Sequence, residues 1–108
     1  MMEVRVELRS RNEMYFANGI FVDSKKFIVC KGSIVNLKTD SIVSKVVMKY
    51  RNDEEIVDAN GCVLKDCEFG SPSIAAQFVT GSSTNGYVAW KVEKISLKNY
   101  LACMESED

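Results

Sequence analysis

The chain has 108 residues, 46% of them apolar and 27% charged, with a formal net charge of −1 and no histidine. That length suits one domain with one core. No run approaches the roughly 18 to 20 consecutive apolar residues of a membrane span, and the charged, alternating start MMEVRVELR has no apolar h-region, so the chain reads as cytoplasmic with no membrane partner.

In chain order, Val4, Val6 and Leu8 alternate with Arg5, Glu7 and Arg9, the two-residue period of a strand with one buried and one wet face. Tyr15 to Val22 predicts a second strand, bent near Asn18-Gly19. Asp23 to Lys26 turn the chain into a hairpin partner, Phe27 to Cys30, and Ser33 to Leu37 continue extended beyond Gly32. The period then changes: Ile42, Val43, Val46, Val47 and Tyr50 recur at helical spacing, with Asp40 or Ser41 as N-cap and with Ser44, Lys45 and Lys49 facing water. An acidic loop, Asn52 to Glu55, ends that helix.

Ile56-Val57, Asn60-Gly61 and Cys62 to Leu64 carry the signature of a hairpin closed by a type I′ turn, which needs positive φ at both central residues. Asp66 to Phe69 extend its second strand. Ser71 is a good N-cap, Pro72 suits the first helical position and Gly81 can close a helix in the left-handed conformation, which predicts a helix over 72–80. Its buried stripe is Ile74, Ala75, Phe78 and Val79, and Ala75-Ala76 permits close approach to a sheet. After a polar loop, Ser82 to Asn85, Tyr87 to Val92 read as a strand with Val88 and Trp90 on one face. A last helix capped by Ser96 buries Leu97, Tyr100, Leu101 and Met104. The expected fold is one α+β domain over 1–108, an antiparallel sheet of β-hairpins with about three helices packed against it.

Cys30, Cys62, Cys67 and Cys103 form no C-x-x-C pair and have no histidine to complete a mixed zinc site, so they read as reduced, buried thiols and no metal or other cofactor is expected. The missing histidine also removes the commonest general base. The carboxylates cluster in an acidic loop, and no catalytic residue is assigned.

The near-zero net charge hides two blocks. Residues 24–51 hold seven cations, Lys25, Lys26, Lys31, Lys38, Lys45, Lys49 and Arg51, against Asp40; residues 52–70 hold six carboxylates against Lys65. The basic block could meet phosphates, or the two blocks could neutralise each other on a solvated surface.

Phe27-Ile28-Val29-Cys30-Lys31-Gly32-Ser33, an apolar run followed by Gly-Ser, resembles a motif of domain-of-unknown-function family 4357. Phe69-Gly70-Ser71-Pro72-Ser73-x-Ala75-Ala76-x-x-Val79-x-Gly81-x-Ser83-x-Asn85-Gly86-x-x-x-Trp90-Lys91 resembles that family's C-terminal signature, so that the likeness spans about 19–92. Tyr87 stands where the family commonly has Trp, and Met48 to Ile56 departs from its usual Leu-Arg-rich helix. The resemblance implies an accessory domain, found alone or beside GIY-YIG-type nucleases and restriction-related proteins, and similar to the restriction-enzyme adenine-methylase-associated domain proposed to recognise modified DNA. Partners it implies are DNA or RNA, or a nuclease or methylase protein.

Two functions follow as expectations. One is non-catalytic nucleic-acid binding, with Lys25, Lys26, Lys31, Lys45, Lys49 and Lys91 meeting phosphates along one cationic rim. Ser71 and Ser73 offer a helix start that suits an anion. Lys31-Gly32-Ser33 offers an amide-rich turn, Ser83 and Asn85 a polar loop, and Trp90 with Tyr87 rings that could stack on bases. Each has a structural alternative: Ser71 as a plain cap, Trp90 as a core anchor, the loop as a connection. The other function is a protein-interaction or oligomerisation module without nucleic-acid binding.

Overall fold

The alternation that opens the chain becomes β1 (Val4–Arg9), with Val4, Val6 and Leu8 buried and Arg5, Glu7 and Arg9 in water. In the computed structural model, which describes residues 3–39 and 43–105, β1 is followed by β2 (Phe16–Asp23) and β3 (Lys26–Val29), helix α1 (Lys45–Arg51) and β4 (Cys67–Phe69). Then come α2 (Pro72–Thr80), the single turn α3 (Gly86–Ala89), β5 (Lys91–Val92), β6 (Ile95–Ser96) and α4 (Leu97–Glu105). The strands form one antiparallel sheet in the order β4-β3-β2-β1-β5-β6. The fold is therefore α+β, as the pattern predicts.

One face of the sheet carries the core. Helix α2 lies on β2, β3 and β4, and α1 packs against α2. Ala75 and Ala76, both fully buried, let α2 approach closely. Phe69 and Phe78 stack at 5.0 Å, with the Tyr50 ring 5.1 Å from Phe69. On the same face Trp90 and Phe27 meet at 4.6 Å over Gly19, where a Cβ would come within 2.6 Å of the Phe27 ring. The helix over 72–80 forms as its sequence dictates: the Ser71 hydroxyl accepts from the Ile74 N–H at 3.1 Å, and Gly81 (φ +80) donates its N–H to the Gln77 carbonyl.

Several local expectations yield to longer-range contacts. Helix α1 starts at Lys45, not near 41, because Ser44 caps it by accepting from the Val47 N–H at 3.3 Å; Asp40, Ser41 and Ile42 lie outside the described residues. Val46, expected in the buried stripe, is 53% exposed, since this two-turn helix packs mainly on α2 and turns Val47 and Tyr50 inward. The irregularity in β2 falls between Phe21 and Asp23, while Asn18 and Gly19 keep regular register. Ser33 to Leu37 make isolated bridges in place of a strand, through Ile34 to Phe16 and Cys62.

The Asn60-Gly61 turn is not type I′. Only Gly61 (φ +85) of the two has positive φ, and Asp58 organises the reversal: its carboxylate accepts from the N–H groups of Asn60 and Cys62, both at 2.9 Å. The expected strand over 87–92 holds only at Lys91–Val92, which form β5; Tyr87 to Ala89 are helical, because the Asn85 side chain accepts from the Tyr87 N–H at 3.1 Å and caps a turn. That turn puts Trp90 inside, fully buried, and Val88 outside, so the two do not share a face.

Candidate functional site

The serine-rich stretch is built as architecture. Pro72 has no N–H, and the Ile74 and Ala75 N–H groups donate to the hydroxyl and carbonyl of Ser71. The Ser73 hydroxyl accepts from the Gly86 N–H at 2.9 Å. A Cβ on Gly86 would lie 2.2 Å from the Pro72 carbonyl and 2.4 Å from the Ser73 nitrogen, so α3 seals the start of α2 where an anion would have docked. Trp90 completes the seal: its indole N–H donates to the Pro72 carbonyl at 3.0 Å. Of the two readings of Trp90, a ring that stacks on a base or an anchor of the core, the fully buried indole fits the second.

Ser33 is likewise interior, 1% exposed, with its hydroxyl donating to the Cys30 carbonyl at 2.8 Å and accepting from the Asn18 N–H at 3.1 Å. Gly32 (φ +92) is exposed and donates its N–H to the Val63 carbonyl. Ser83 and Asn85 are exposed, Asn85 serving as a cap. The half-buried Lys91 donates its ammonium to the Val88 carbonyl at 2.8 Å.

The lysines do not form one rim. Lys25 and Lys26 occupy the β2–β3 turn, Lys31 lies past the other end of β3, and Lys45 and Lys49 ride on α1 in the helical layer. The acidic block is interleaved with them. Pairing of β3 with β4 brings Glu68 to 3.8 Å from the Lys26 ammonium and lets Asp66 accept from the Lys31 N–H at 2.8 Å. Arg51, counted in the basic block, turns inward; its guanidinium donates to the carbonyls of Asn36, Lys38 and Phe78 and to the Thr39 hydroxyl. Burial lowers its pKa from the ordinary arginine value.

What sequence reading passes over is the sheet's other face. The outward residues of β1 to β4 form cross-strand rows: Arg5–Ile20–Ile28–Glu68, and Arg9–Phe16–Ile34–Cys62. Between them Glu7 stands opposite Asn18 on one side and Lys91 on the other. Phe16, Ile20 and Ile28 are half-buried within the sheet, and among the described residues no helix packs on that side of them. The Arg9 guanidinium sits 4.8 Å over the Phe16 ring. A shallow cleft of about 410 Å³ opens beside β1, lined by Arg5, Glu7, Ile20, Cys30, Lys91 and Glu93. Cys30 there is held protonated: burial, then Asp66, push its thiol up against the opposing pull of Arg5. The signal for this face was present in the alternation of β1, whose polar positions change sign at every step.

Among the described residues no three Cys, Asp or Glu side chains converge as a metal-binding group, and no helix is long and apolar enough to cross a membrane. A family model described as a domain of unknown function (DUF4357) matches residues 8–100. No curated protein and no solved structure matches the chain.

Proposed function

This chain belongs to the DUF4357 family, and from that premise we propose that it is a non-catalytic docking module whose uncovered sheet face receives a protein partner. The observation that carries the reading is the apolar centre of that face, Phe16, Ile20 and Ile28, bounded by Arg5, Glu7 and Arg9 on one side and Glu68 on the other. An apolar centre inside a charged rim is the composition of a protein interface. Nuclease and methylase proteins are the heterologous partners that the family resemblance suggests.

Nucleic acid is the second reading, and one observation favours it: Arg5 and Arg9 are exposed on the same face as an aromatic ring, a pairing that suits a single strand. The scattered lysines and the sealed start of α2 give it less support than the sequence alone did.

A photo-crosslinking residue placed at Asn18, in the middle of the open face, is expected to give protein adducts, whereas the same residue at Lys98 on α4 is not. Adducts from both positions, or from neither, would remove the docking reading. Fluorescence anisotropy with single-stranded and duplex oligonucleotides at two salt concentrations addresses the second reading. Salt-sensitive binding at micromolar protein, weakened by Arg5→Glu, would put nucleic acid first.

A further inference from the structure

We propose that the partner on the open sheet face is a second copy of this chain, packed face to face about a twofold axis at the level of Val6; this rests on the docking reading above. The sign pattern of the outward side chains carries it. Glu3 precedes β1, and Arg5, Glu7 and Arg9 follow on the wet side of the strand. The string Glu-Arg-Glu-Arg is its own complement when reversed.

A twofold axis that lies between two sheets and runs across their strands sets β1 antiparallel over β1 and β2 over β2. With the axis at Val6, Glu3 of one copy faces Arg9 of the other and Arg5 faces Glu7, each pair occurring twice. Every contact between the two β1 rows is of opposite sign. Sliding by one outward position, with the axis at Arg5 or Glu7, sets like charges opposite each other, at a cost that rejects the register. Lys91, opposite Glu7 in the sheet, and Glu93, lining the same cleft, extend the alternation beyond β1. On the other side the same axis sets Phe16 over the partner's Val22, Ile20 over the partner's Asn18 and Ile28 over the partner's Cys30, at the aligned packing that two twisted sheets adopt. Such an interface uses the same patch twice, as twofold dimers do.

Sedimentation velocity over a concentration series tests this with charge-swapped chains. The wild type is expected to dimerise. Arg5→Glu with Arg9→Glu makes the row all-acidic, Glu3→Arg with Glu7→Arg makes it all-basic, and each is expected to weaken self-association by about tenfold or more. An equimolar mixture of the two, and the chain carrying all four substitutions, are expected to dimerise again, because complementarity is restored. All four sites are exposed, and matching circular dichroism and melting curves separate lost association from lost folding; the all-basic chain serves as the independent check on the all-acidic one. A wild type that stays monomeric up to roughly 1 mM, a weak-binding limit, would overturn the inference. So would a dimer indifferent to both swaps. If adducts to other proteins still form from position 18, the docking reading survives either failure; if none form, it falls too.

Discussion

Arg51 shows how one residue can leave the surface charge and join the framework. Its planar fork reaches three carbonyls from two separate segments, Asn36 and Lys38 before α1 and Phe78 in α2, so it ties the long excursion between β3 and β4 to the helical layer. A lysine cannot reproduce that geometry. Arg51→Lys is expected to cost roughly 1.5 to 3 kcal/mol, the range for hydrogen bonds to charged groups, seen as a lower urea midpoint at unchanged slope. Nothing in the sequence distinguishes Arg51 from its neighbours Lys45 and Lys49: the carbonyls it serves are distant in the chain. Ser33 escaped a correct reading for the same reason, and Trp90 admitted two readings on sequence alone. A serine after glycine and a lone tryptophan look alike in a loop and in a core, and only the folded partners decide.

At the level of elements, legibility follows the range of the interactions that set each boundary. Helix α2 is written in its own residues, with Ser71, Pro72 and Gly81 stopping it at both ends, and β1 in its own alternation. Turn α3 is not, since it exists where Gly86 can rest against the backbone of Pro72, thirteen to fourteen residues back. This predicts an inversion of the usual ranking. Ser71→Ala removes a cap and is expected to cost about 1 kcal/mol. Gly86→Ala adds one methyl group but drives it into unyielding backbone, and is expected to cost more, roughly 1 to 3 kcal/mol or beyond. Thermal melts of the two variants give the comparison; an equal or smaller loss for Gly86→Ala would mean that α3 does not need its contact with α2.

For the molecule as a whole, the two charge blocks of the sequence fold into each other, with Lys26 beside Glu68 and the Lys31 backbone beside Asp66. That explains how a strongly segregated chain presents a mixed surface, and why segment charge was a poor guide to a binding rim. Global stability also carries a pH signature. Burial first, and Asp66 second, push the Cys67 thiol from an ordinary value near 9 up to about 11. A raised value means that the folded chain holds the proton more tightly than the unfolded one, so this contribution is complete below pH 9 and is lost as pH rises through about 11. Urea midpoints across that window are expected to fall more for the wild type than for Cys67→Val; parallel curves would show that the thiol binds its proton equally tightly in the folded and unfolded states.

The seat that Gly19 leaves empty has a consequence for how the chain reaches its final form. Phe27 and Trp90 fill it, and the Trp90 carbonyl then accepts from the Leu97 N–H at 2.8 Å. Phe27 comes from the neighbouring strand of the same hairpin, whereas Trp90 lies about seventy positions further along the chain, so the β2–β3 hairpin on its own leaves one wall of that seat open.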